Sequence, residues 1–401
     1  MMLRSADWYH HLPAEVKEIL SRLGQAGHTT YVVGGAVRDL LLSRTPKDFD
    51  LVSSAKPADV AALFEKTLEI GKQFGISMVV VNGATVEVAT FRKESTYSDG
   101  RHPDRIEYAT PEEDALRRDF TINGLFWDPE QKQVIDYVGG LSDIEGKRIQ
   151  CIGDASARFH EDALRMLRAL RFFSSLQSAG FSLDTSVIEG IKQCRERIKK
   201  VSRERITEEM GLLLKARNPS AGLDLCAATR LWHEMFPNSH LDAGMISRLD
   251  ALTGDKWLGL ALCVDNAEAF LKVFVLGRDA LAQIRTSLQL IARFEGLLAA
   301  PLAEQKYTMI EPAFDAAATT AREFFYDKPK LTGAIATLIS AKVKYQREGT
   351  LNPEPLINGE DLRNAGITPG PSMGMALKKI RAAQLNEEIS TKEEALDLIK
   401  T

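Results

Sequence analysis

No run of eighteen apolar residues occurs in this 401-residue chain, so no membrane-spanning helix is expected. Cysteine is scarce. Cys151, Cys194, Cys226 and Cys263 lie far apart and form no CxxC pair, which argues against a disulfide framework or a zinc site and for a reducing compartment. The first sixteen residues, MMLRSADWYHHLPAEV, lack the apolar core of a signal peptide, so the cytoplasm is the expected location. No low-complexity tract or internal repeat is visible. The seven His form no evident His-Asp phosphohydrolase pair, so no attached hydrolase domain is expected. A strong excess of one charge is lacking too: 51 Lys and Arg against 55 Asp and Glu leave a net charge of −4. That argues against a generally basic nucleic-acid coat but leaves room for a local basic face.

What remains is the composition of an ordinary soluble protein, 44% hydrophobic and 26% charged, long enough for two or more domains. The first 150 residues mix short β-like runs with helical patterns. TYVVGG (30–35), FDLV (49–52), ISMVVVNG (76–83) and ATVEVATFR (84–92) read as strands. The last two are β-branched and joined by NGA, a hairpin signal. An α/β or α+β domain with neighbouring hairpin strands fits better than a regular βαβ repeat. Beyond Gly153 the periodicity is helical, with long helices expected at 161–178, 204–216 and 279–299. The stretch 349–374 is richest in Pro and Gly and opens a tail module. Between Arg158 and Arg217 thirteen Lys and Arg face eight Asp and Glu. The densest part is RERIKKVSRERI (195–206), either a solvated helical face or a stripe for a polyanion.

The segment VVGGAVRDLLLSRTPKDFDLV (32–52) carries the strongest chemistry. Gly34 and Gly35 permit a sharp turn and close approach to a ligand. A helix starting there would point free N–H groups at a phosphate, with Arg38 in its first turn adding charge-assisted contacts. The spacing is neither GxGxxG nor the P-loop GxxxxGKS/T. Asp48 and Asp50 alternate, so on a strand both project to one face, while Phe49 turns into the core. Two adjacent carboxylates repel unless a cation sits between them, and Mg²⁺ suits such oxygen donors together with substrate phosphates. Two solvated Asp at a strand end is the plainer alternative. Glu87 leaves the apolar face of its strand, as either a third carboxylate or an exposed strand Glu.

Two further constellations follow. EEDALRRDFTINGLFW (112–127) holds Arg117, Arg118, Asp119 and Asn123, set either for phosphate or ribose or for ion pairs with Glu112, Glu113 or Asp114. DYVGGLSDIEG (136–146) has turn glycines and a structural role closing the domain. In RFHEDALRMLRALRFF (158–173), Met166, Leu167, Leu170 and Phe173 share a helical face with Ala163. Glu161, Arg165 and Arg168 gather elsewhere, with Asp162 and Arg171 at the margins. Asp162 and Arg165, three apart, can present an acceptor beside a fork of donors. Cytosine and adenine offer the complementary amine and ring nitrogen; guanine and uracil reverse the order. An intrahelical salt bridge is the alternative.

Taken together, these segments resemble the class II tRNA nucleotidyltransferase and poly(A) polymerase family of the DNA polymerase β-like nucleotidyltransferases. The likeness runs through GGAVRDLLL, DFDL, VEVATFRKESTYSDGRHPDRIEYA, RRDFTINGL, DYVGG and RFHEDALRMLRALRF, continuous over about 30–175 and weaker through VSRERITEEM and INGEDLRNAGITPGPSMG. It implies an α+β catalytic head with a small mixed or antiparallel sheet (1–150), then an all-helical neck (151–220), body (221–350) and tRNA-contacting tail (351–401). It implies Mg²⁺, two ions, on Asp48 and Asp50, and nucleotide contacts from Gly35, Arg38 and Arg118. Asp162 and Arg165 match the pair that reads the incoming base, and Arg168 and Arg171 match further nucleotide contacts. The partners implied are CTP, ATP and the tRNA 3′ end. STYSDGRHPDR (95–105) matches a flexible loop that helps the family switch from C to A. A poly(A) polymerase is a weaker alternative, because GKQFGISMVV (71–80) lacks the Arg-Arg-Phe stretch common there. Addition of A alone is not separated by motifs, and a catalytically silent RNA-binding protein is disfavoured by the intact Asp48 and Asp50.

Overall fold

The structure is a computed structural model and describes residues 8–68, 75–94 and 106–399. Its chain divides into two compact units, Met1–His240 and Leu241–Thr401.

In the first unit a single helical turn at Trp8–His11 precedes an amphipathic helix, α1 (Ala14–Gln25), which buries Val16, Ile19, Leu20 and Leu23. Next come β1 (Thr30–Val33), α2 (Gly35–Leu41), β2 (Asp50–Ser53) and α3 (Pro57–Leu63). The strands β3 (Thr67–Leu68), β4 (Ile76–Val81), β5 (Ala84–Thr90), β6 (Arg92–Glu94) and β7 (Ile106–Tyr108) lead to α4 (Pro111–Leu116). A hairpin, β8 (Leu125–Asp128) and β9 (Gln133–Asp136), and α5 (Gly140–Glu145) complete the head. Seven strands form one sheet in the order β3-β4-β5-β2-β1-β8-β9. It is mixed: β2 and β5 run parallel, the other pairs antiparallel. All four strands read from the sequence are present, and β4 and β5 turn through Asn82 and Gly83, both at positive φ. That is the backbone a tight hairpin of this twist requires.

The two faces of the sheet do different things. Alternation puts Val32, Leu51, Val86 and Val88 under the head helices, with Phe49 packed against the same core. Val33, Val52, Phe91, Ala115 and Phe126 form a smaller cluster on the other face. Asp50 pairs with Val33 in the antiparallel register and shares that second face.

Gly140 explains the DYVGG segment. A Cβ there would lie 2.2 Å from the Thr121 carbonyl oxygen and 3.0 Å from Leu125 Cδ2. The Thr121 hydroxyl also donates to Asp143 at 2.7 Å, so α5 clamps the short 3₁₀ turn Thr121–Asn123. Overpacking at such a spot costs about 1–3 kcal/mol. Gly140→Ala should therefore lower the midpoint of thermal unfolding by several degrees, as read by differential scanning fluorimetry; an unchanged midpoint would show that α5 is not pressed against this turn.

After the head come α6 (Ala155–Glu161), α7 (Leu164–Leu176), α8 (Thr185–Cys194), α9 (Arg203–Leu214) and α10 (Pro219–Ala228). The helix expected over 161–178 is in fact broken. Asp162 is extended, at φ −143 and ψ 108, and its carboxylate accepts from the Leu164 N–H at 3.0 Å. A short polar side chain that bonds the following backbone competes with the helix ladder and restarts it, here as α7. Met166, Leu167 and Leu170 are fully buried on α7, as the wheel implies. Phe172, not Phe173, is the buried aromatic, and Arg165 is buried as well. The helices α7, α9 and α10 pack against one another, so α7 is enclosed on more than one side.

The second unit is helical. Its longest elements are α11 (Arg278–Leu297), α12 (Leu302–Met309), α13 (Phe314–Phe324), α14 (Pro329–Arg347) and α15 (Pro371–Leu385). Phe294 and Phe314 meet edge to face at 5.7 Å, and Ile357, Leu362, Ile380 and Ala395 form a small core of their own. No helix among the described residues is long and apolar enough to cross a membrane.

Candidate active site

A cleft of about 940 Å³ opens within the first unit, lined by α2, the approach to β2, the Arg117–Asn123 segment, α7 and α9. It gathers nearly every residue singled out from the sequence.

Gly34 caps α2 at φ 70, a left-handed conformation that glycine adopts without strain. Its Cα faces Arg118, whose Nη1 lies 3.6 Å from where a Cβ would stand. Arg118 is held from behind: its Nε and Nη2 both donate to Asp114, at 3.2 and 2.9 Å. Nη1 makes no protein hydrogen bond among the described residues and is left for an anion. Arg117 forks onto the other Asp114 oxygen at 2.9 and 2.7 Å. The ion-pair alternative for the double arginine is what is seen, with Asp114 as the shared partner, while Arg118 also lines the cleft. Arg38 donates to Asp39 and, at 2.6 Å, to Asn123 Oδ1. Asn123 is thus the device that aims Arg38 across 85 residues of chain.

Asp114 is fully buried. Burial alone would raise its pKa, yet Arg118 and Arg117 outweigh it and hold the carboxyl below its ordinary 3.8. A depressed native pKa stabilises the fold above the unfolded value and loses that contribution as pH falls through the native one. Asp114→Asn should destabilise by about 3 kcal/mol near neutrality, since two guanidiniums lose their shared counter-charge. The gap to the native protein should close below pH 3.8 in urea titrations; a gap independent of pH would refute the ion-pair account.

Asp48 and Asp50 both line the cleft, and Phe49 turns to the opposite, apolar side. The Asp50 carboxyl lies above its ordinary pKa: lost hydration in the recess is the main cause, Arg118 opposes it, and Asp48 adds to it. Glu87 is one step along the parallel register from the Leu51–Val88 pair, beside Asp50. Lost hydration and Asp50 raise its pKa, with Arg92, Arg118 and Arg117 opposing. Glu87 is not part of the cleft lining. No group of three or more metal-ligating side chains occurs among the described residues. The donor set is a pair of carboxylates, which suits Mg²⁺, an ion that completes its shell with water and substrate phosphates rather than a protein cage.

The opposite wall is α7. Arg165 donates to the Arg158 and Arg117 carbonyls at 3.3 and 3.1 Å and to Glu161. Its Nε–H and one Nη2–H stay uncommitted among the described residues. Asp162 accepts from Arg205 through both oxygens. Arg168 forks onto Asp119 at 2.8 and 2.6 Å; burial pushes the Asp119 carboxyl up, and Arg168 overrides it, so its pKa is lowered. Arg171 pairs with Glu209. The guanidiniums of Arg38, Arg168 and Arg171 lie 5.3, 5.5 and 4.2 Å from the ring centre of Phe172, so one aromatic ring steadies three cations. Phe172 and Arg205 were not foreseen: Arg205 finds Asp162 across 43 residues, and the gathering of Arg38 with the nearby Arg168 and Arg171 around Phe172 exists only in the folded chain. Arg44, Lys47, Lys215 and Arg217 also line the cleft and make no ion pair among the described residues. The expected mobile loop at 95–105 lies outside the described residues.

Three family profiles match in succession. They are the "Poly A polymerase head domain" at residues 30–150, the "Probable RNA and SrmB- binding site of polymerase A" at 180–241, and tRNA nucleotidyltransferase domain 2 at 253–399. The CCA-adding enzyme of Limosilactobacillus reuteri is 34% identical over 388 residues, covering 93% of both chains. The chain belongs to the CCA-adding enzyme family. The same enzyme from Bacillus pumilus is 44% identical over 218 residues, 54% of each chain. The crystal structure of the Bacillus stearothermophilus CCA-adding enzyme in complex with CTP superposes with a TM-score of 0.77 at 31% identity, covering 96% of each chain. The resemblance drawn from the motifs and the α+β head with a helical remainder thus stand within the CCA-adding enzymes.

Proposed function

We propose that this protein completes tRNA 3′ ends by adding C, C and A without a template, from CTP and ATP, releasing pyrophosphate. One observation carries the reading: a single cleft holds Asp48 and Asp50, at and just before the start of β2, and Asp162 and Arg165 on the neck. Reacting phosphates and a base-reading edge can then occupy one space. The RNA 3′-hydroxyl attacks the nucleotide α-phosphate and pyrophosphate leaves. Asp48 and Asp50 would hold Mg²⁺, two ions in the full assembly, with Glu87 as a candidate third carboxylate. Bound there, the metal lowers the pKa of the attacking hydroxyl and offsets charge on the phosphates.

The chain's own groups do the rest. Gly35 lets backbone approach the triphosphate, and Arg118 Nη1 and Arg38 supply positive charge beside it. Asp162 Oδ2 can accept the exocyclic amine of cytosine or adenine, and the uncommitted Arg165 donors can reach the ring nitrogen. Guanine or uracil would set a carbonyl against the carboxylate, a mismatch that a hydrogen-bonding site rejects strongly. Arg168 and Arg171 are assigned to the nucleotide through the same helix, and the tail beyond 351 to tRNA. All four cysteines are free and buried, which suits a reducing cytoplasm.

Three tRNA transcripts test this, ending at the discriminator base, in C and in CC. Each is incubated with the protein, Mg²⁺ and CTP, ATP or both, and read at single-nucleotide resolution. The shortest should gain CCA and stop. Growth of only the CC-ended transcript, by one A, would make the protein an A-adder, and an unending A ladder would make it a poly(A) polymerase.

A further inference from the structure

Asp162 sits at a break between two helices, where nothing in its local backbone dictates which way its second oxygen points. Its Oδ1 accepts from the Leu164 N–H at 3.0 Å and from Arg205 Nη1 at 3.2 Å. Its Oδ2 accepts from Arg205 Nη2 at 2.7 Å. The planar guanidinium meets the carboxylate in a two-bond fork, which fixes the rotation of the carboxylate as well as its position. Each carboxylate oxygen has about two acceptor sites, so Oδ1 is saturated and Oδ2 keeps one. Arg205 thereby selects which oxygen is offered to the cleft and leaves it a single acceptor direction.

The support is rigid. Arg205 stands on α9, and one turn further Glu209 on the same helix takes Arg171 of α7. Two ion pairs of opposite polarity therefore pin the break and the middle of α7 to α9. Both Asp162 and Arg205 are mostly buried, at 16% and 18% side-chain exposure, yet both line the cleft. Arg205 is the counter-charge of Asp162 rather than the cleft's spare cation; Arg44, Lys47, Lys215 and Arg217, which make no ion pair among the described residues, fill that role.

We propose that Arg205 is a positioning residue that sets nucleotide selectivity by orienting Asp162. The inference rests on the reading that Asp162 and Arg165 recognise the base. An Asp162 freed from the fork would turn about its one remaining bond to Leu164 and swing its acceptor off the base, loosening its hold on an amine and relieving its repulsion of a carbonyl, so the distinction between the two would blur.

The test uses the full-length protein and a transcript ending at the discriminator base. The quantity read is the ratio of kcat/KM for CTP to that for UTP. Arg205→Ala should lower the ratio at least tenfold, and Arg205→Lys, which keeps charge but loses the fork, should restore only part of it. Arg203→Ala, one exposed charge removed from the same helix, should leave the ratio unchanged. The double variant Asp162→Ala with Arg205→Ala should be no less selective than Asp162→Ala alone, since the two act through one group. A native ratio in Arg205→Ala, alongside a lost ratio in Asp162→Ala, would overturn the role of Arg205 and leave the base-reading pair standing. A native ratio in Asp162→Ala would overturn both. Should Arg205→Ala fail to fold, a native ratio in Arg205→Lys would refute the fork just as directly.

Discussion

Replacing Asp48 or Asp50 with Ala is expected to cut nucleotide incorporation by about 10³-fold or more, the rate equivalent of several kcal/mol of metal-borne charge stabilisation. The two carboxylates share one wall of the cleft, and the hydration lost by Asp50 there disfavours its ionised form. A bare pair in that position is electrostatically unfavourable; a divalent cation makes it favourable. Either substitution halves the donor set. The fold should tolerate it, because Asp48 and Asp50 line an open cleft and make no ion pair among the described residues. RNA affinity, measured by filter binding, should therefore stay near the native value while single-turnover incorporation collapses. Incorporation at the native rate would remove the metal role from this pair, and a parallel loss of RNA binding would show that the change had disturbed the fold instead.

Arg165→Ala is expected to lower discrimination between CTP and UTP by about 10- to 100-fold, the equivalent of one charge-assisted hydrogen bond in a desolvated site. The stability cost should be smaller than for a stranded buried charge. Glu161 keeps Arg158 as a partner at 3.0 Å, and the lost bonds to the Arg158 and Arg117 carbonyls account for about 1–3 kcal/mol. Kinetics and denaturant unfolding on the same preparation separate the two effects. Unchanged selectivity with a lowered unfolding midpoint would reduce Arg165 to a brace between α6, α7 and the Arg117 segment.

Much of this was readable along the chain where the information is local. β1, β2, β4 and β5 show alternation or β-branching against Gly turns, so their period of two is visible without a partner. The Asp48–Phe49–Asp50 alternation alone places two carboxylates on one face and the ring on the other, as found. Arg117 and Arg118 fall three and four residues after Asp114, within reach of helix geometry. The hairpin β8–β9 escaped because Leu125–Asp128 is buried on both faces, and a strand with no polar face carries no alternation to detect.

The active-site wall was decided by contacts that no window of sequence contains. An apolar period continues through Glu161 and Asp162, so the pattern predicts an unbroken helix; Asp162 bonds the nearby Leu164 N–H at the break, but its partner Arg205 lies 43 residues away. Asn123 aims Arg38 over 85 residues, and Arg168 finds Asp119 over 49. The types and spacings of reacting groups are properties of a short backbone stretch with known periodicity. Which acid each arginine takes, and which is left for a substrate, depends on packing that brings distant segments together. A buried charge must be paired wherever the fold offers a partner, and that choice exists only once the chain has folded.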